Sequence, residues 1–163
     1  MNIENIHRVA DYLEVSDTYS QAQWSTYQDN GCKTPGCIAG HAAALLQKDE
    51  GSSDYNDYTP AEDAATFFDL DSTSNVCFDL FDTDPLWRIY VRFTGTDPIY
   101  SNRYANYTNW VNYLRSKGFN TNISREAAAK CLRNMAETGK VDWQKAIGLS
   151  DEFLAESVRE VLL

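Results

Sequence analysis

Residues 32–48 read CKTPGCIAGHAAALLQK. Thr34 is a natural N-cap and Pro35 suits the first helical position, so the stretch predicts a helix that begins at Pro35. Ala39, Gly40, Ala42, Ala43 and Ala44 leave that helix almost no side-chain bulk. Neighbours can approach so slim a helix on several sides. It is therefore expected at the centre of a helical domain, buried rather than amphipathic.

Working outward, the flanks carry helical periodicity. Ile3, Ile6, Val9, Ala10 and Leu13 recur at three- and four-residue steps and make one apolar face. Residues 16–31 are polar and read as an ordered loop or short helix pinned by Trp24. Thr59-Pro60-Ala61-Glu62 is a capping box that opens a helix with Ala61, Ala64, Ala65 and Phe68 inward. A short helix follows around Val76, Cys77, Leu80 and Phe81, with Ser72 or Thr73 as its cap. Near the C-terminal end, Tyr104, Tyr107, Trp110, Val111 and Leu114 share a face, and Lys117-Gly118 is a helix stop. Ser124 opens the next helix, with Ala128, Cys131, Leu132, Met135 and Ala136 inward and Gly139 as its end. Ser150-Asp151-Glu152 caps a last helix striped by Leu154, Val158, Val161 and Leu162.

The segment 86–93 is ambiguous. In WRIYVRF, Trp87, Ile89, Val91 and Phe93 alternate with Arg88, Tyr90 and Arg92, which is a strand signal by period. No partner strand is visible elsewhere, so a helix is favoured over a short strand or hairpin there. The fold expected is mainly α, a single compact multi-helix domain over residues 1–163, with no linker, repeat or low-complexity tract.

Composition agrees. A chain of 163 residues has the length of one domain and buries about 68–70% of its unfolded surface, enough for a core without metal or disulfide staples. No basic start precedes an apolar core and a cleavage site, and no run of about 18 apolar residues occurs. The expected location is cytoplasm, a cell's own or a host's, with no membrane partner.

The one chemically suggestive cluster is Cys32, Cys37 and His41. Cys37 is expected at the third helical position, where free N–H groups favour a thiolate. His41 lies one turn further on the same face. Zinc is one reading, but the spacing is not that of a two-residue knuckle and no fourth ligand is evident. A Cys37 nucleophile with His41 as base is another, but no third group orients the base. The simplest reading is a tight helix entry filled by small Cys and His, with a Cys32–Cys37 redox pair as a variant. Asp69 through Asn75 alternates oxygen side chains like a calcium loop. It has Ser74 where glycine is required and Leu80 where a bidentate Glu is required, so it reads as a helix stop followed by a cap. No metal and no cofactor is assigned, zinc being the alternative.

Charge is segregated. The 24 acids and 14 bases leave a net charge of −10, and residues 49–84 hold 11 of those acids with no Lys or Arg. The other 13 acids and 14 bases nearly cancel. Such a balance excludes direct nucleic-acid binding, which requires a basic surface. It leaves two readings of the segment. One is a solubilising face. The other is a docking face for a basic or nucleic-acid-binding protein, centred on Asp54, Asp57, Asp63 and Asp69.

Four spaced motifs also stand in order. They are Trp24 with Cys32 through Ala42 (CKTPGCIAGHA), Ala64 through Leu70 (AATFFDL), Leu80-Phe81, and Glu137 through Trp143 (ETGKVDW). Together they resemble a family of small uncharacterised proteins of tailed bacteriophages and prophages, which carries segments like CGTxACIAGWA, AAxFFGL and ETGxVDW. The chain departs from that pattern at His41, where the family often has Trp, and at Lys33, where it often has Gly. A position that takes either ring is a poor metal ligand or catalytic base. The resemblance implies a phage origin and no established activity. The expectation is a non-catalytic accessory protein that binds a host or phage protein, in host takeover or in inhibition of a nucleic-acid-binding host protein. The alternatives are a cysteine- or zinc-dependent enzyme at Cys32, Cys37 and His41, or a virion or assembly component.

Overall fold

Helix α1 (Ile3–Val15) starts where the Asn2 side chain accepts from the Asn5 N–H at 3.1 Å. Its buried stripe is Ile6, Val9, Ala10 and Leu13, as the periodicity predicts, while Ile3 of the same predicted face is exposed in the first turn. The computed structural model describes residues 1–17, 19, 25–27, 33–35, 37–51, 60–82, 84–95 and 103–162. Trp24, Thr59 and the turn at Asp97-Pro98 lie outside them.

Two three-residue strands, β1 (Ser25–Tyr27) and β2 (Lys33–Pro35), pair antiparallel with Thr26 opposite Thr34. Helix α2 (Ile38–Asp49) therefore begins three residues later than Pro35. Thr34 and Pro35 are spent on the strand, at a pairing edge that tolerates a residue without an N–H. Cys37 takes the N-cap position instead, with extended backbone, and its carbonyl accepts from the His41 N–H at 3.0 Å. Six consecutive residues of α2, Ile38 through Ala43, are buried. The helix is thus enclosed on all sides over its first turns. It contacts α1, β2 and the next two helices, α3 (Pro60–Phe68) and α4 (Asn75–Phe81).

Helix α3 ends at Asp69, the one non-glycine residue with positive φ among those described (φ 52). There Leu70 N–H donates to the Ala65 carbonyl and Asp69 N–H to that of Thr66. This is a Schellman stop with a short polar residue in the left-handed position that glycine usually takes. Ser74, rather than Ser72 or Thr73, caps α4 by accepting from Cys77 N–H at 3.3 Å.

Residues 86–93 are helical, not a strand or hairpin: they lie in α5 (Pro85–Thr94). The deciding signals flank the alternation. The Asp84 side chain caps the Trp87 N–H, Pro85 stands in the first turn, and Gly95 closes the helix at φ 64. At helical spacing Leu86, Ile89 and Tyr90 form the buried face.

Helices α6 (Arg103–Ser116), α7 (Arg125–Thr138), α8 (Trp143–Ile147) and α9 (Asp151–Leu162) complete the order. Gly118 and Phe119 bond back to Arg115 and Leu114 at the end of α6, and Ser124 caps α7 as its sequence predicts. The Glu137–Trp143 motif separates into three structural roles. Gly139 ends α7 at φ 72, Asp142 caps α8, and the buried Trp143 donates from Nε1 to the Asp79 carbonyl of α4 at 2.8 Å. Helix α7 packs along α1, and α9 on α6. At the latter seam Trp110 Nε1–H donates to Ser157 Oγ at 2.8 Å, and the Ser157 hydroxyl donates to Leu154 O; Trp110 and Ser157 are wholly inaccessible.

Ser157→Ala leaves the indole N–H buried without its acceptor. The expected cost is about 1–3 kcal/mol. It is read in urea as a lower midpoint at unchanged slope.

Candidate functional site

The sequence nominates two places, and the structure describes most of both. At the first, His41 is 1% exposed and its ring lies between those of Tyr12 and Tyr19, at 5.6 and 6.3 Å. Its Nδ1 is 2.9 Å from the Cys37 carbonyl, and its Nε2 is 3.0 Å from Ser16 Oγ. A carbonyl only accepts, so Nδ1 carries the proton. In the neutral ring Nε2 is then an acceptor, and the Ser16 hydroxyl donates to it. Burial holds the His41 pKa below its ordinary value, against a smaller opposing effect of the Cys37 carbonyl.

Cys37 and His41 therefore meet through a backbone carbonyl, not through the thiol. The Cys37 side chain is inaccessible, and burial pushes its thiol pKa up. The N–H groups of Ala39 and Gly40 and its own act the other way without overcoming that penalty. Helix-end stabilisation of a thiolate is present as a local effect but loses to desolvation. Cys37, Cys77 and Cys131 are free buried thiols. Cys32 itself lies outside the described residues. Among the described residues no three His, Cys, Asp or Glu side chains converge as metal ligands, and both nitrogens of His41 are already engaged.

The result is a structural tie. The Ser16 hydroxyl bonds α2, and its carbonyl accepts from Arg125 of α7 at 2.9 Å. One residue at the end of α1 thereby links three helices. Periodicity shows Ile6 and Leu13 but gives no sign of Ser16, whose role depends on where α2 and α7 arrive.

At the second place, Asp63 and Asp69 are described, and Asp54 and Asp57 lie outside the described residues. Asp63 is half-buried and accepts from Gln47 Nε2 at 2.9 Å. Asp69, at the end of α3, keeps its side chain 81% exposed while pairing with the Met1 amine at 3.0 Å. Asp63 stands on α3 and Asp69 in the left-handed stop that follows it, and the two carboxylates take different partners.

The other acids of the segment divide by partner. Asp49 pairs with Arg8 at 2.9 Å, and Asp82 with Arg88. Asp71 accepts from the Thr73 N–H and hydroxyl, and Asp84 from the Trp87 N–H and the Tyr107 hydroxyl. Neutral donors organise a carboxylate without cancelling its charge. Among the described residues the α3–α4 surface thus remains negative at Glu62 and Asp71.

On that surface lies a groove of about 480 Å³ between α3 and α4. Ala61, Cys77, Phe78 and Phe81 form its apolar part, with Glu62, Asp82 and Arg88 at the rim. Phe78 is 56% exposed although its neighbours Cys77 and Phe81 are buried. A sequence signal for it exists: Phe78 is apolar but falls off the buried stripe of α4.

No family model, curated protein or solved structure matches this chain. No helix among the described residues is long and apolar enough to cross a membrane.

The neutral buried His41 has a thermodynamic signature. Its folded pKa lies below the unfolded value near 6.5, so the unfolded chain binds the extra proton first. Stability is then expected to fall as pH drops through that window, by at most about 1.4 kcal/mol per pH unit. Urea midpoints between about pH 7.5 and about pH 5.5, in a His7→Gln background, measure it. His41→Gln should remove that slope, and an unchanged slope would contradict the assignment.

Proposed function

We propose that this chain is a non-catalytic accessory protein of tailed phages or prophages that works by binding another protein through its acidic α3–α4 surface. The observation that carries the reading is charge segregation. Residues 49–84 hold 11 acids and no Lys or Arg, and the Asp71 and Asp84 carboxylates accept from neutral donors. A negative potential of this kind raises the encounter rate with a basic partner and repels phosphate backbones. The partner is therefore a basic protein, such as one that itself binds nucleic acid. The phage assignment rests on the four ordered motifs around Cys37, Phe68, Phe81 and Trp143. All four segments serve the fold, as the enclosed helix α2, the α3–α4 pair and the Trp143 anchor. Their recurrence in a family would preserve a scaffold rather than a catalytic set.

Immobilised wild type should recover basic proteins from bacterial lysate at low salt and lose them at high salt, because exposed charge pairs are screened within about 10 Å at 0.1 M. Changing Asp54, Asp57, Glu62 and Asp63 to Asn or Gln should reduce that recovery severalfold. Equal recovery by both proteins would overturn the acidic-face reading. Thiol labelling of folded protein separates out the cysteine-enzyme alternative. Cys37 should react only when the chain is unfolded, whereas fast labelling of Cys37 in native protein would favour the enzyme.

A further inference from the structure

The α3–α4 groove carries more than charge. Its apolar part includes an aromatic ring, Phe78, left 56% exposed on an otherwise buried apolar run. Its volume of about 480 Å³ falls in the range of sites that take a bound group rather than a shallow surface dimple. Phe78 is not required for the core: the buried face of α4 is complete with Cys77, Leu80 and Phe81.

The rim states the sign of the occupant. Arg88 is held by Asp82, which leaves the exposed Glu62 as the uncompensated charge on the lining. Asp71 stands next to the lining residue Ser72, and among the described residues its carboxylate is held by Thr73. An anionic lipid surface or nucleic acid is repelled here. A second copy of the chain brings a further −10 of charge. A segment with a large apolar side chain and nearby Lys or Arg satisfies both floor and rim. Helices dock in this way when apolar anchors at three- and four-residue spacing enter a groove.

We propose that the groove between α3 and α4 receives the apolar anchor of a basic amphipathic helix on the partner protein, with Phe78 as the contact ring and Glu62 as the charge partner. This rests on the acidic-face reading above and adds the anchor to it. Aromatic residues at the centre of an interface dominate its energetics, while rim charges mainly steer.

The test uses two fluorescein-labelled peptides of equal charge and length. One has Leu and Lys at helical amphipathic spacing, and the other has Ser in place of every Leu. Fluorescence anisotropy at low salt measures binding to the full chain, to Phe78→Ser and to Glu62→Gln. Circular dichroism and the thermal midpoint confirm that each variant is folded. The Leu/Lys peptide should bind wild type at least tenfold more tightly than the Ser/Lys peptide. Phe78→Ser should weaken it at least tenfold, and Glu62→Gln less. If both peptides bind alike and Phe78→Ser changes neither, the groove proposal is overturned while the acidic face stands. If neither peptide binds, both fall. If sedimentation shows wild type to dimerise and Phe78→Ser to be monomeric, the occupant is a second copy and the proposal is wrong.

Discussion

Everything in this domain is arranged around the need to bury α2 on all sides. Ile38 through Ala43 are six consecutive buried residues, which no amphipathic helix has. Enclosure is possible because four of the six are Ala or Gly, so α1, α3 and α4 can approach the backbone closely. The cost is carried by His41, the one polar side chain in that run. A buried imidazole with an unpaired nitrogen would cost on the order of 1–3 kcal/mol. The structure answers with Cys37 O on one side and Ser16 Oγ on the other. Those two bonds fix the tautomer and hold the end of α1 against α2. Arg125 brings α7 to the same point through the Ser16 carbonyl.

The acidic segment shows how one residue type serves local structure and surface potential together. Asp84 starts a helix, Asp69 ends one, and Asp71 orders the turn between α3 and α4. Acids suit these places because their short side chains accept from free N–H groups at helix starts and tolerate the left-handed backbone. None of those local roles consumes the charge when the donor is neutral. A chain that uses Asp as punctuation therefore accumulates a negative surface as a by-product, and that surface is then available for docking. The Phe78 ring is the part that punctuation does not explain.

Helix existence and most of the inward faces were legible for α1, α3, α6, α7 and α9 because each has a 3.6-residue apolar period. The two segments whose local signals compete share a physical origin. At Thr34-Pro35 a strong cap signal was overridden by pairing with Ser25–Tyr27, which no local pattern announces. At residues 86–93 a two-residue alternation and a helical period coexist, and the flanking Asp84-Pro85 and Gly95 settle the matter. Both segments have local preferences that admit two conformations, and the neighbours choose.

The sequence by itself determined the helices with a clear apolar period, the slim central helix and the segregation of charge into residues 49–84. Those are properties of spacing and composition, which depend only on near neighbours along the chain. Tertiary structure alone decided that His41 bonds Ser16 and a carbonyl rather than a thiolate, that burial defeats thiolate formation at Cys37, and that Asp63 and Asp69 take different partners. It also decided that Phe78, Glu62 and Asp82 border one groove. Each of these is a meeting of residues remote in sequence or a desolvation penalty, and both are set by which surfaces pack together in space.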